Sequence, residues 1–150
     1  MPRYFDDLQE RETWLSAERT ITDADLRQFA ALTGDDNALH LDDAAARERG
    51  YPQRIAHGAF VFAAAVGLLQ DEPARRLDVM AFHGVQRLQF KKPVFPGDVI
   101  RVRQTIQSLR RVDDGSGIME ATEEVVNQHG VVTTTFTARF LIRRHQSPGR

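Results

Sequence analysis

Cysteine is absent from the 150 residues. That excludes disulfides, thiolate nucleophiles and thiolate metal sites, and it suits a reducing compartment such as the cytoplasm. An excess of either charge is missing as well. Lys and Arg number 20 against 21 Asp and Glu, for a net charge of −1, so no global field draws the chain to nucleic acid or to an anionic membrane. No apolar run is long enough for a bilayer. The longest, residues 59–69, spans ~17 Å as a helix against the ~30 Å of a bilayer core, which makes it a buried helix. The first residues, Met1-Pro2-Arg3-Tyr4-Phe5-Asp6-Asp7, carry acids and lack the apolar stretch of a secretory leader. What is present, 41% hydrophobic and 27% charged residues, is the composition of one ordinary globular domain.

The chain divides into a helical first half and a strand-rich second half. Residues 1–12 are polar and read as loose, and 14–20 read as a strand. Thr22-Asp23-Ala24-Asp25 opens a helix: Thr22 can cap it, the acids suit its positive end, and Leu26, Phe29, Ala30 and Leu32 follow at helical spacing. Gly34 stops it. A short helix follows over 42–49, acidic first and basic last. Residues 59–69 form a helix apolar on every face, which should be surrounded by protein. From Val79 onward β-branched and aromatic residues dominate, broken by turn signals. They predict strands over 80–90, 99–111, 118–127 and 131–142, with a hairpin loop at 113–117 and a flexible tail over 143–150. The layer rules give an α+β fold, with a curved antiparallel sheet wrapped around the apolar helix. Its exposed edges predict a homodimer or a larger assembly of dimers.

One stretch stands out chemically: Thr33-Gly34-Asp35-Asp36-Asn37-Ala38-Leu39-His40. It places a carboxylate, a carboxamide and an imidazole together where a helix ends. A carboxylate beside an imidazole is what acid–base work on a neutral small molecule requires. Asp and Asn are also ordinary turn formers, so the same residues suit a plain loop with a surface histidine. His83, His129 and His145 have no partners at metal-ligand spacing, so no metal is expected.

Gly34-Asp35-x-Asn37-x-x-His40, followed by Ile55-Ala56-His57-Gly58 and an apolar helix, resembles the MaoC-like dehydratases, the (R)-specific enoyl-CoA hydratase family. Phe90-Lys91-Lys92-Pro93-Val94-Phe95-Pro96-Gly97-Asp98 is similar to that family's bend between strands. The resemblance runs from about residue 20 to 141 and implies the hotdog fold, a central helix wrapped by an antiparallel sheet. It implies reversible hydration of a trans-2-enoyl thioester to the (R)-3-hydroxyacyl thioester, with Asp35 and His40 as the catalytic pair and the Gly58 N–H as oxyanion donor. Asn37 would orient the loop or the Asp35 carboxylate, and His57 would serve as a substrate-side or helix-entry residue. No cofactor is implied, since coenzyme A enters as part of the substrate. Arg47, Arg49, Arg54, Lys91 and Lys92 are candidates for its phosphates. The family's usual proline after the Asn is Ala38 here, and a polar helix residue two turns past the His-Gly is Val66. Alternatives on the same scaffold are a dehydratase for acyl-carrier-protein, branched or dicarboxylic thioesters, and a subunit that binds acyl chains without catalysis. A hotdog thioesterase is disfavoured because 59–69 contains no carboxylate.

Overall fold

The computed structural model describes residues 1–73 and 75–146. The apolar pattern of the second half becomes one antiparallel sheet with α3 packed on its inner face. The first elements are β1 (Thr13–Leu15), β2 (Arg19–Thr20), α1 (Asp23–Thr33), α2 (Asp43–Glu48) and α3 (Gly58–Leu68). The long strands are β3 (Val79–Phe90), β4 (Val99–Arg111), β5 (Ser116–Val126) and β6 (Val132–Arg143). Across the sheet the order is β1-β4-β5-β6-β3, with β2 also pairing β4. This is the α+β hotdog architecture expected above. The predicted strand over 14–20 is two short strands, broken where the Ser16 N–H turns to the Val102 carbonyl.

Period-two alternation decides which face each strand buries. Ile100, Val102 and Ile106 of β4, Met119, Ala121 and Val125 of β5, and Phe136, Ala138, Phe140 and Ile142 of β6 are all buried. They form one core with Phe60, Val61, Ala64, Ala65 and Leu68 of α3. The all-round apolar surface of α3 predicts enclosure, but among the described residues its own chain leaves one side uncovered. Ala59, Ala63 and Gly67 are exposed, and Phe62 and Val66 are half-buried. The uncovered stripe faces away from the sheet, which is a single layer and covers only one side of the helix.

β3 departs from simple alternation. Its register to β6 slips between Val79 and Ala81, between Phe82 and Gly84, and between Gln86 and Gln89, where Arg87 takes φ +54°. Each slip is a bulge that adds a residue to β3. As a result Phe82, Val85 and Phe90 all pair with inward-facing residues of β6, namely Phe140, Ala138 and Thr134.

The N-terminal residues are packed, contrary to the loose segment predicted for 1–12. Leu8 is buried in the core, and Arg3 pairs with Glu12 at 2.6 Å and donates its N–H to the Arg76 carbonyl. The predicted tail is also tied down at its start. β6 runs through Arg143, Arg144 pairs with Asp6 at 2.7 Å, and His145 meets Asp7 at 2.9 Å. Single-residue polarity hid the contacts between the two ends because Asp6 and Asp7 lie 138 residues from Arg144 and His145 in sequence. Residues 147–150 of the predicted tail lie outside the described residues.

Candidate active site

The loop between α1 and α2 is shaped by its own side chains. Thr22 caps α1 by accepting from the Asp25 N–H, while Asp25 accepts from the Thr22 N–H, a complete capping box. At the other end Gly34 takes φ +81°, the left-handed cap that glycine adopts without strain. Asn37 Oδ1 then accepts from the Leu39 N–H at 3.0 Å and starts a single 3-10 turn over Ala38–His40. Asn37 Oδ1 thus shapes the loop, and Asn37, a candidate for the substrate side, is not among the residues lining the neighbouring cleft.

That turn delivers His40 to the chain segment leading into α3. His40 Nδ1 lies 2.8 Å from the Ile55 carbonyl. A carbonyl only accepts, so Nδ1 carries the proton and Nε2 keeps a free lone pair. The Ile55 N–H returns a bond to the Leu39 carbonyl at 3.2 Å, and the Ala56 N–H reaches Val94 at 2.7 Å. These bonds clamp residues 55–57 between the loop and the 91–98 bend.

His57, the residue before α3, is 1% exposed. Its Nε2 lies 2.9 Å from the Asp35 carbonyl, and its ring stacks on His40 with centroids 3.8 Å apart and planes 25° apart. Phe29 of α1 meets its edge at 4.8 Å. Burial pushes the His57 pKa down; the Asp35 carbonyl bond opposes this and charge on His40 adds to it.

Asp35, His40 and His57 each bring a polar side-chain atom to within 4.8 Å of the others. Spacing analysis overlooked this cluster because 22 residues separate Asp35 from His57. Three such groups invite comparison with a metal centre. The two rings are stacked, and each already has one nitrogen against a backbone carbonyl, His40 Nδ1 on Ile55 and His57 Nε2 on Asp35.

An open cleft of about 240 Å³ adjoins the cluster, lined by His40, Tyr51, Ile55, Gly58, Val61, Phe90, Lys91, Lys92 and Thr134 among others. Gly58 begins α3, and no acceptor for its N–H occurs among the described residues. A side chain at this position would collide with the Phe90 ring, since a Cβ would sit 2.9 Å from it. Asp35 is exposed and does not itself line the cleft; its carboxylate lies within 4.8 Å of a ring nitrogen of His40, which does. Ile55 belongs to the motif quoted above, whereas nothing in the types of Tyr51 and Thr134 marks them as a cleft wall.

The remaining candidates sort by their partners. Arg54 is held by Asp23 at 2.9 Å and Asp43 at 2.8 Å. Arg47 donates to the Pro52 carbonyl and Arg49 to the Ala45 carbonyl. Lys91 and Lys92 stand at the cleft. Of the large aromatics around α3, Phe90 lines the cleft, Phe60 is buried in the core, and Phe62 and Phe82 pack with Phe136 and Phe140 respectively.

Comparison with known proteins agrees with this architecture. The chain is 33% identical to the (R)-specific enoyl-CoA hydratase of Aeromonas caviae over 113 residues, covering 75% of this chain and 79% of that protein. It is 42% identical over 103 residues to Protein MaoC of Klebsiella aerogenes, covering 69% of this chain but 30% of that longer protein. Among solved structures it superposes on a monoamine oxidase regulatory protein from Archaeoglobus fulgius with TM-score 0.88 at 32% identity, covering 96% of each chain. The structure of the A. caviae (R)-hydratase matches with TM-score 0.74 at 28% identity, covering 89% of this chain and 96% of that one. Residues 7–129 match the MaoC like domain. With that match over most of its length, the chain belongs to the MaoC-like dehydratase family.

Proposed function

We propose that the protein catalyses reversible syn addition of water to a trans-2-enoyl-CoA, giving the (R)-3-hydroxyacyl-CoA. One observation carries this reading: Asp35 and His40 converge within 4.8 Å beside a cleft that His40 lines and whose other wall begins at the Gly58 N–H. Two polar atoms at that separation can share one water, each at hydrogen-bond distance. His40 Nε2 and the Asp35 carboxylate orient the water against C3. Its oxygen bonds to C3, the double bond is consumed, and a proton returns to C2 on the same face. The pair is treated as one titrating unit, without a division of acid and base. As C2 is protonated, negative charge leaves the thioester oxygen; it had built up there during attack at C3. The Gly58 N–H, at the positive end of an 11-residue helix, is positioned to hold that oxygen. Lys91 and Lys92 are placed to meet the phosphates of coenzyme A at the cleft mouth. No helix of the described residues is long and apolar enough to cross a membrane. An acyl-CoA substrate implies a cytoplasmic setting for a chain with no cysteine to oxidise.

The test follows crotonyl-CoA by its enoyl absorbance. The expected result is loss of that absorbance with wild-type protein and no release of free thiol. Thiol release would point to thioester hydrolysis, and an unchanged signal across acyl chain lengths would leave a binding subunit in its place.

The reading includes a homodimer. β3 is the last strand of the sheet, and its inward residues Phe82 and Val85 are 42% and 37% exposed. They adjoin the uncovered stripe of α3, so a second copy pairing along β3 would cover both apolar surfaces and the open edge. Light scattering is expected to give twice the chain's 17.0 kDa; a monomer mass would refute the dimer.

A further inference from the structure

We propose that His57 is a positioning residue for the Asp35–His40 pair: a single neutral ring, protonated on Nε2, holds the Asp35 peptide by its edge and supports His40 by its face. This rests on the reading of Asp35 and His40 given above.

The edge contact fixes the tautomer. Nε2 lies 2.9 Å from the Asp35 carbonyl, which can only accept, so the ring proton is on Nε2. His57 Nδ1 is buried and has no partner. As a bare lone pair it is an orphan acceptor. Protonating it would bury both an unpaired N–H and a charge, which is far more costly. The ring therefore has one favourable state, and that state donates to the Asp35 backbone.

The face contact sets His40. His40 is tethered through Nδ1 to Ile55, so its remaining freedom is rotation about that bond. A parallel ring 3.8 Å away blocks rotation toward the core and keeps Nε2 at the cleft. The groups facing His57 are His40 and Asp35 on the loop and the uncharged Phe29 on α1. If His57 were charged, a second charge on His40 at that distance would be repelled. A neutral π face instead favours an imidazolium above it. A neutral His57 thus leaves His40 without a like charge on its buried face. Removing the ring separates two functions that no other described residue combines.

Two variants divide the contacts. His57→Phe keeps the face and loses the N–H, while His57→Asn keeps a donor and loses the face. Each is expected to lower kcat by roughly 10–100-fold, the scale of a catalytic group displaced by about 1 Å, with KM changed less than about threefold. A fold-only role would lower the melting temperature and leave kcat of the folded protein unchanged. In the wild type, ¹⁵N NMR of the histidine rings should show His57 neutral with the proton on Nε2 throughout the neutral range; this measurement decides the question even if a variant fails to fold. A charged His57, or a proton on Nδ1, would overturn the inference. So would wild-type kcat in both variants while Asp35→Asn is inactive, and in that case the hydratase reading survives. Full activity in Asp35→Asn and His40→Ala would instead remove that reading and the inference with it.

Discussion

Asp35→Asn and His40→Ala are each expected to lower kcat for enoyl-CoA hydration by about 10²–10⁴-fold, the range for loss of a positioned acid–base group. Asp35→Asn is the cleaner of the two. It preserves shape, keeps the backbone carbonyl that His57 holds, and removes only the ability to exchange a proton. Asp35 is exposed, so the change should leave stability within about 0.5 kcal/mol of wild type. His40→Ala also removes the ring that stacks on His57 and the bond to Ile55, and some loss of stability accompanies the loss of rate. Groups that act as one unit are not additive, so the double variant should be little worse than either single one. KM should hold, since neither residue is needed to bind the acyl chain or coenzyme A. Initial rates from the enoyl absorbance check all three. A double variant whose loss is the product of the single losses would mean that the two residues act independently.

The second large effect concerns stability and lies away from the cleft. Glu123 on β5 is fully buried, faces inward in the same register as Met119, Ala121 and Val125, and has one partner, the Gln104 Nε2 at 2.7 Å. Its second carboxyl oxygen has none. Burial raises its pKa from the ordinary 4.5 to about 8, with the Gln104 bond opposing. The folded chain thus holds this proton more tightly than the unfolded chain. The stability linked to it is full below the ordinary value and is lost as pH rises toward the folded one, at about 1.4 kcal/mol per pH unit. Glu123→Gln cannot titrate, so it removes this slope. Between about pH 5.5 and 7.5 the stability difference between variant and wild type should shift in the variant's favour by roughly 2–3 kcal/mol. Urea unfolding at the two pH values measures it, and parallel curves would show that Glu123 is hydrated or ionised in the folded state. Hydratase activity should survive, because Glu123 is not among the residues lining the cleft.

Much of this molecule was legible before any coordinates. Wherever the governing physics is local, residue type was enough. The Thr22–Asp25 capping box, the Gly34 stop, the acidic start of α2 and the apolar run of α3 each depend on neighbours within a turn or two. The strands β4 to β6 follow from period-two alternation and strong turn signals. Asp35, Asn37 and His40 were visible because one short loop carries all three.

Other features were written in the sequence but not separable there. Glu123 occupies an inward position between Ala121 and Val125, so the alternation already marked it; only its charge argued otherwise. The bulges of β3 leave no sequence signal, since they answer to how the strand must curve against β6. The ion pairs that hold the N-terminus to the end of β6 join residues at opposite ends of the chain, and no local pattern can report them.

The sequence by itself determined the elements, the inward faces and the identity of the groups able to do chemistry, because helix caps, turns and alternation are short-range. Only the tertiary structure decided that His57 touches both Asp35 and His40, that Gly58 lies under Phe90, and that α3 keeps one uncovered stripe. Those facts are distances between segments that are remote in sequence, set by how the sheet and helix pack.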